Sequence, residues 1–76
     1  MADKLPTYGE LIADLAQRYR AVKGIRPTPE VAQEIGITRW TLARFEREAL
    51  VTREALHQIG VWTQAREPQR GGGYER

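Results

Sequence analysis

The chain has no cysteine and only one histidine among its 76 residues. The absence of cysteine excludes a disulfide framework and any zinc site built on thiolates. The single histidine, His57, has no clustered carboxylates at metal-ligand spacing around it, and no nucleophile and base pair stands out in the sequence. We therefore expect neither an enzyme nor a bound cofactor, and no small-molecule substrate.

Long apolar runs are also missing from the sequence. No stretch reaches the roughly 18 consecutive apolar residues of a membrane span, and the first residues lack the apolar centre of a signal peptide. We accordingly expect a cytoplasmic protein with no membrane partner. A chain of this length can bury only one core, so the sequence predicts a single small domain.

The formal net charge is only +2, but the charges are unevenly distributed. Residues 1–17 carry three acidic side chains and one basic side chain, whereas residues 18–53 carry eight basic and four acidic ones. A polyanion would bind most favourably to that basic middle segment. A bias of this size is equally typical of a solvated helix face, so charge alone leaves both interpretations open.

Start and stop signals predict four helices. Thr7, followed three residues later by Glu10, is typical of a capping box, and apolar residues then recur at helical spacing as far as Val22, just before Gly24. The first helix is therefore expected to begin after Thr7 and to end near residue 23.

Two short helices are predicted next. Thr28 is expected to cap the second helix, with Pro29 at its first position and Gly36 at its end. Thr38 is expected to cap the third helix, which follows after a turn of about three residues. Thr52 is a plausible cap for a fourth helix.

The predicted domain organisation follows from these helices. Residues 1–6 are expected to form an N-terminal arm and residues 7–64 a helical domain. Residues 65–76 contain Pro68 and three consecutive glycines at 71–73, with no periodic pattern. This composition favours a flexible C-terminal tail.

The second and third helices have the spacing of a helix-turn-helix, in which the second helix of the pair enters the major groove of DNA. At 100° per residue, Leu42 and Phe45 share one side of the third helix, and Trp40, Arg44 and Arg47 cluster on the opposite side. The predicted outer face of this helix is therefore aromatic and basic.

The run from Pro29 to Glu46 resembles the Cro/C1-type (Xre) helix-turn-helix domain of phage repressors and bacterial regulators, and the similarity extends over roughly residues 8–62. The resemblance implies an all-α, compact, four- to five-helix fold like that of lambda repressor. It also implies a double-stranded DNA-binding transcriptional regulator, namely a repressor that inserts the helix from Arg39 to about Glu48 into the major groove. The matching positions are Ala32, Gly36, Ile37, Thr38, Leu42, Phe45 and Glu46.

Site residues are carried over from this resemblance. An arginine can donate two hydrogen bonds to guanine, and the hydroxyl and N–H of Thr28 would meet a phosphate. For Trp40 two interpretations stay open, because the indole can pack on a sugar or base edge or fold back over the turn into the core. The expected DNA-binding residues are Thr28, Thr38, Arg39, Trp40, Thr41, Ala43, Arg44 and Arg47.

The resemblance further implies a structural ion pair between Arg20 and Glu46, and a protein that works as a homodimer on the bacterial nucleoid. The dimer interface is expected on the fourth helix, at Leu56, Ile59 and Trp62. The alternative function is a small protein-binding adaptor, antitoxin-like or directed at a polymerase or repressor, that uses the surface from Leu50 to Trp62.

Overall fold

The computed structural model describes residues 5–68, and all regular secondary structure in that range is helical. Four helices follow in order: α1 (Tyr8–Lys23), α2 (Thr28–Ile35), α3 (Arg39–Glu46) and α4 (Arg53–Arg66). The predicted all-α fold is confirmed, with four helices in the described range. The first four residues of the predicted arm and residues 69–76 of the predicted tail lie outside the described residues. None of the helices in residues 5–68 combines the length and apolar composition needed to cross a membrane.

Three of the predicted helix caps are confirmed. Thr7 and Glu10 form a reciprocal capping box, in which the Thr7 hydroxyl accepts from the Glu10 N–H at 3.1 Å and the Glu10 carboxylate accepts from the Thr7 N–H at 2.9 Å. Thr38 accepts from the backbone N–H of Thr41, and Thr52 accepts from that of Ala55, each at 3.1 Å. Each of these bonds satisfies an N–H that a helix start leaves free, so α1, α3 and α4 begin where their sequences predict.

The prediction that Thr28 caps α2 is wrong. The capping position is occupied by Pro27, whose carbonyl accepts from the N–H of Val31 at 3.2 Å, and Thr28 is already helical. The Thr28 hydroxyl instead donates across the fold to the Glu46 carboxylate. A long-range acceptor has therefore replaced the local capping role that the sequence suggested.

Helix α3 ends at Glu46, two residues before the predicted end at Glu48. The N–H of Glu48 bonds to the carbonyl of Phe45 at 2.8 Å, and the N–H of Ala49 bonds to that of Arg44 at 2.9 Å. This pair of bonds is a Schellman motif, which places the residue after the cap in the left-handed conformation. Glu48 has that conformation with φ 61°, at a position where glycine is usual.

Helix α4 continues through Gly60 to Arg66, so the predicted tail begins too early. Glu67, the next residue, accepts two hydrogen bonds of 2.8 Å from the guanidinium of Arg18 on α1. Residues 65–67 therefore belong to the folded domain, because a bidentate ion pair fastens the end of α4 to α1.

The core lies between two helix pairs, with α1 against α4 and α2 against α3, and α1 also contacts α3. Tyr19 is at its centre, with its ring edge-on to Phe45 at 5.3 Å between centroids and tilted against Trp62 at 5.9 Å. These three aromatic rings join α1, α3 and α4. The buried apolar cluster comprises Ile12, Leu15, Ala16, Tyr19, Val31, Ala32, Leu42, Phe45, Ile59 and Trp62.

Two residues of the predicted dimer interface lie in this core. Ile59 is fully buried and Trp62 is 5% exposed within a single chain, whereas Leu56 is half-buried. The Trp62 indole also donates a hydrogen bond to Glu34 on α2 at 3.2 Å. The prediction that Ile59 and Trp62 contact a second copy is therefore wrong, because the regular spacing that suggested an interface is the spacing of the α4 core face.

Candidate functional site

Helix α3 is divided into a buried side and an exposed side. Leu42 and Phe45 are fully buried, which turns Trp40, Arg44 and Arg47 toward solvent; these three residues are the outer face of α3. Trp40 is 68% exposed, so the interpretation in which its indole folds back into the core is wrong. This face of the helix thus exposes one large apolar ring and two arginines.

The Trp40 indole carries a cation on one of its faces. The guanidinium carbon of Arg39, the first residue of α3, lies 5.0 Å from the centroid of the indole ring. This distance is within the range of a cation–π interaction, which favours arginine over tryptophan. Arg39 and Trp40 therefore act as one unit at the start of α3, with a positive charge held against the ring.

The arginines of the chain fall into two groups according to their ion pairs. On α1, on the α1–α2 connection and near the end of α4, basic side chains lie within 4 Å of carboxylates. By contrast, four arginines form no ion pair with any residue in the range 5–68, and all four lie at or after the start of α3. They are Arg39, Arg44, Arg47 and Arg53.

Within residues 5–68, this division concentrates uncompensated positive charge on α3, on the loop that follows it and on the first residue of α4. Arg39, Arg44, Arg47 and Arg53 are all exposed, so their charges are available to a ligand in solution. Arg44 makes one weak contact, in which its guanidinium donates to the carbonyl of Leu50 at 3.4 Å. A bond of that length is easily exchanged for a shorter one to an anion.

A groove of about 470 Å³ runs between one side of α3 and the start of α4. Thr38, Thr41 and Arg44 form the α3 wall, while the opposite wall includes Leu50 and Thr52. The Thr38 hydroxyl donates to the hydroxyl of Thr41 at 3.0 Å, in addition to accepting the capping bond. The predicted site residues thus lie on two adjacent strips of α3, with the threonines beside the groove and Trp40 and Arg47 on the outer face.

Ala43 and Thr28 complete the predicted set. Ala43 is half-buried on the side of α3 away from the groove. Thr28 is half-buried at the start of α2, and its hydroxyl lies 3.0 Å from each carboxylate oxygen of Glu46. The sequence predicted that hydroxyl as a phosphate ligand, whereas in the fold it donates to a carboxylate.

Glu46, the last residue of α3, is the centre of a polar cluster. The Tyr19 hydroxyl donates to its carboxylate at 2.6 Å, Thr28 donates at 3.0 Å, and the Lys23 ammonium lies 3.5 Å away. These contacts link the end of α3 to the start of α2 and to α1. The Glu46 carboxylate therefore adds a polar link between α3, α2 and α1 to the apolar packing of these helices.

The predicted ion pair between Arg20 and Glu46 is wrong, because Arg20 contacts the backbone of Glu46 and not its carboxylate. Arg20 donates to the backbone carbonyl of Glu46 at 2.7 Å, and its ion-pair partner is Glu48 at 3.2 Å. The last carbonyls of a helix have no intrahelical donor, so the carbonyl at the end of α3 is a ready acceptor. The carboxylate of Glu46 bonds instead with Tyr19 and Thr28, a cluster that sequence spacing did not indicate.

Two side chains that bond to other helices, Tyr19 and Glu34, have shifted pKa values. Burial, together with the hydrogen bond to Glu46, raises the pKa of the Tyr19 hydroxyl above its usual value. Hydrogen bonds from Arg26 and Trp62 lower the pKa of Glu34. Arg66 lies 3.8 Å from the same carboxylate and over the ring of Trp62, so this cluster joins α2 to α4.

The described residues were also compared with the requirements of a metal site. Within residues 5–68 there is no group of three or more His, Asp and Glu side chains arranged to hold a metal ion. Comparison with protein-family models, with characterised proteins and with solved structures finds no match to this chain. Its function is therefore inferred from its own residues and their geometry.

Proposed function

We propose that the protein is a sequence-specific, double-stranded DNA-binding regulator of transcription that inserts α3 into the major groove and acts as a repressor. The observation that carries this proposal is the set of exposed arginines at and after the start of α3, which have no carboxylate partner within residues 5–68. Arginines elsewhere in that range are neutralised by glutamates. A polyanion would supply the missing partners for Arg39, Arg44, Arg47 and Arg53.

The dimensions of α3 support this proposal. Its eight residues correspond to a length of about 12 Å, and an α-helix of ordinary diameter fits the major groove of B-form DNA. A turn of three residues, 36–38, separates it from α2, and Gly36 takes the left-handed conformation with φ 95° that such a tight corner needs. Two short helices joined by such a turn are typical of a helix-turn-helix, whose second helix reads DNA, and this supports the proposal.

The residues of α3 would have distinct roles in the complex. Arg39 and Arg44 carry donors suited to guanine edges or phosphates, and Arg47 lies further from the entering end, where it would meet a phosphate. Thr38 and Thr41 beside the groove would contact the sugar-phosphate backbone, and Ala43 would permit close approach to a base. Arg53, at the start of α4, is a further phosphate ligand that the sequence did not single out.

For Thr28, the fold changes the expected contact with DNA. Its hydroxyl donates to Glu46, so in the complex a phosphate would meet the backbone N–H at the start of α2 rather than the hydroxyl proton. Thr28 therefore helps to orient α3 as well as lying near the DNA.

Repression would follow from occupancy of a promoter, which blocks polymerase and needs no catalytic group. The protein would act in the cytoplasm, bound to the nucleoid. Because α3 is short, we propose that two copies bind half-sites about one helical turn apart. The second copy would not contact Ile59 or Trp62, which are buried in the monomer.

The experiment is a selection of duplexes from a randomised pool, followed by fluorescence anisotropy with the enriched duplex and a scrambled one. We expect the enriched duplex to bind at least a thousandfold more tightly than the scrambled one. Arg44→Ala should lower the affinity for the enriched duplex tenfold or more, whereas Arg18→Ala, which removes the same charge from α1, should change it less than twofold. Failure to enrich any sequence, or equal effects of the two variants, would contradict the proposal.

A second candidate, the protein-binding adaptor, is favoured by two exposed apolar residues. Leu50 is 62% exposed and Val61 is 54% exposed, although Trp62 is buried and unavailable to a partner. An adaptor of this kind would lose partner binding on Leu50→Ala and keep it on Arg44→Ala. A DNA-binding regulator should respond in the opposite way, so these two variants separate the candidates.

A further inference from the structure

Trp40 is the largest apolar side chain exposed within residues 5–68, and it lies among charged neighbours. Trp40 is 68% exposed and shares the outer face of α3 with the exposed residues Arg44 and Arg47. The fold gains no core packing from an indole in this place. Contact with an apolar group of a ligand would remove its surface from water and stabilise a complex.

The position of Trp40 on α3 determines which part of a DNA duplex it would meet. It is the second residue of the helix, and the N-terminal residues of a reading helix contact base edges. At 100° per residue its direction falls between those of Arg44 and Arg47, at the centre of the outer face. A side chain at that centre points to the floor of the major groove, and the phosphates lie along the walls.

The major-groove floor offers few partners for an indole. Most base atoms there are hydrogen-bond donors or acceptors, and the apolar group is the C5-methyl of thymine. Arg39 covers one face of the Trp40 ring at 5.0 Å, which orients the ring and leaves its other face and edge free. An indole held in this way can cover a methyl group but has only one N–H with which to read polar edges.

Building on the proposed function, we propose that Trp40 is a specificity-determining residue that recognises the C5-methyl group of a thymine in each half-site. Arg39 positions the indole, and Arg44 and Arg47 bind polar groups on either side of it. The chain thereby prefers thymine to cytosine and to uracil at that position.

The experiment replaces each thymine of the enriched duplex, one at a time, by deoxyuridine, which removes only the methyl group. We expect one position per half-site at which wild-type protein binds about fourfold more weakly, the factor expected from burial of a single methyl group. In Trp40→Ala this penalty should vanish, and in Trp40→Phe part of it should remain. Val61→Ala, which removes an exposed apolar side chain from α4, should keep the full penalty.

Three results would overturn this inference while leaving the proposed function intact. They are an enriched site with no thymine, wild-type binding that tolerates deoxyuridine at every position, and a deoxyuridine penalty in Trp40→Ala equal to that of wild type. Because Trp40 is exposed, we expect both of its variants to keep the far-UV circular dichroism of the wild type. Failure of the wild-type protein to prefer any duplex would instead contradict the proposed function, and this inference with it.

Discussion

The hydroxyl of Tyr19 on α1 donates a 2.6 Å hydrogen bond to the carboxylate of Glu46 at the end of α3. Tyr19 is fully buried and its ring packs edge-on against Phe45, so the same residue contacts α3 through both apolar and polar atoms. Thr28 brings α2 to the same carboxylate. One acceptor therefore links α1, α2 and the end of α3.

Removal of that acceptor should destabilise the domain. Glu46→Ala would leave the buried Tyr19 hydroxyl without a partner, and we expect the free energy of unfolding to fall by about 2 to 3 kcal/mol. Asp14→Ala, at an exposed position on α1, should change it by less than about 0.5 kcal/mol. Urea denaturation of both variants tests this, and equal effects would show that the Glu46 cluster contributes nothing particular to stability.

Stability should also fall at high pH because of Tyr19. Its pKa is raised in the folded state, so the folded protein holds the phenolic proton more tightly than the unfolded chain, whose tyrosines titrate near pH 10. The contribution is fully present below about pH 10 and is lost as the pH rises toward the folded-state pKa, with a slope of up to about 1.4 kcal/mol per pH unit. In urea denaturation between pH 8 and about 11, the free energy of unfolding should decline less steeply with pH in Tyr19→Phe than in the wild type. Identical slopes in the two proteins would contradict a raised pKa of Tyr19 in the folded state.

The left-handed conformation of Glu48 predicts that glycine is tolerated better than alanine at this position. Glu48→Gly and Glu48→Ala both remove the exposed ion pair with Arg20, but only glycine adopts φ 61° without strain. We expect the glycine variant to be more stable than the alanine variant by about 0.5 to 1 kcal/mol. Thermal denaturation of the pair measures this difference, and greater stability of the alanine variant would mean that Glu48 is not strained.

At Gly60, in the interior of α4, the prediction is reversed, and alanine should be more stabilising than glycine. A Cβ at this position would lie 3.7 Å from Cδ2 of Leu15, an ordinary contact, and its φ is not positive. Gly60→Ala should therefore raise the free energy of unfolding by about 1 kcal/mol, whereas Gly36→Ala should lower it because Gly36 has φ 95°. A loss of stability in Gly60→Ala would indicate that α1 and α4 pack more tightly than this contact distance implies.

Local signals in the sequence predicted most of the fold. The caps at Thr7, Thr38 and Thr52 were predicted because each hydroxyl bonds to an N–H three residues away. The same logic failed at Thr28, since its hydroxyl finds an acceptor eighteen residues away, at Glu46. Local spacing carries no information about such a contact.

Only part of the candidate site could be predicted, again because sequence spacing does not show long-range contacts. Helical angle alone placed Arg44 and Arg47 opposite the core, but it could not decide whether Trp40 folds back over the turn. It also could not tell that Trp62, whose spacing suits a dimer interface as well as a core, packs against Tyr19 on α1 and bonds to Glu34 on α2. That Arg39 and Arg53 form no ion pair with residues 5–68 depends on where the glutamates of other elements lie, which only the fold shows.

The central claim is that arginines on and just after α3, which have no ion pair within residues 5–68, bind a DNA backbone, and its most direct test is the salt dependence of duplex binding. We would measure the slope of the logarithm of the association constant against the logarithm of salt concentration for wild type, Arg47→Ala and Arg18→Ala. The slope should become shallower by about one in Arg47→Ala and stay unchanged in Arg18→Ala, because only Arg47 displaces a counterion from a phosphate. An unchanged slope in Arg47→Ala, or an equal change in both variants, would contradict the claim.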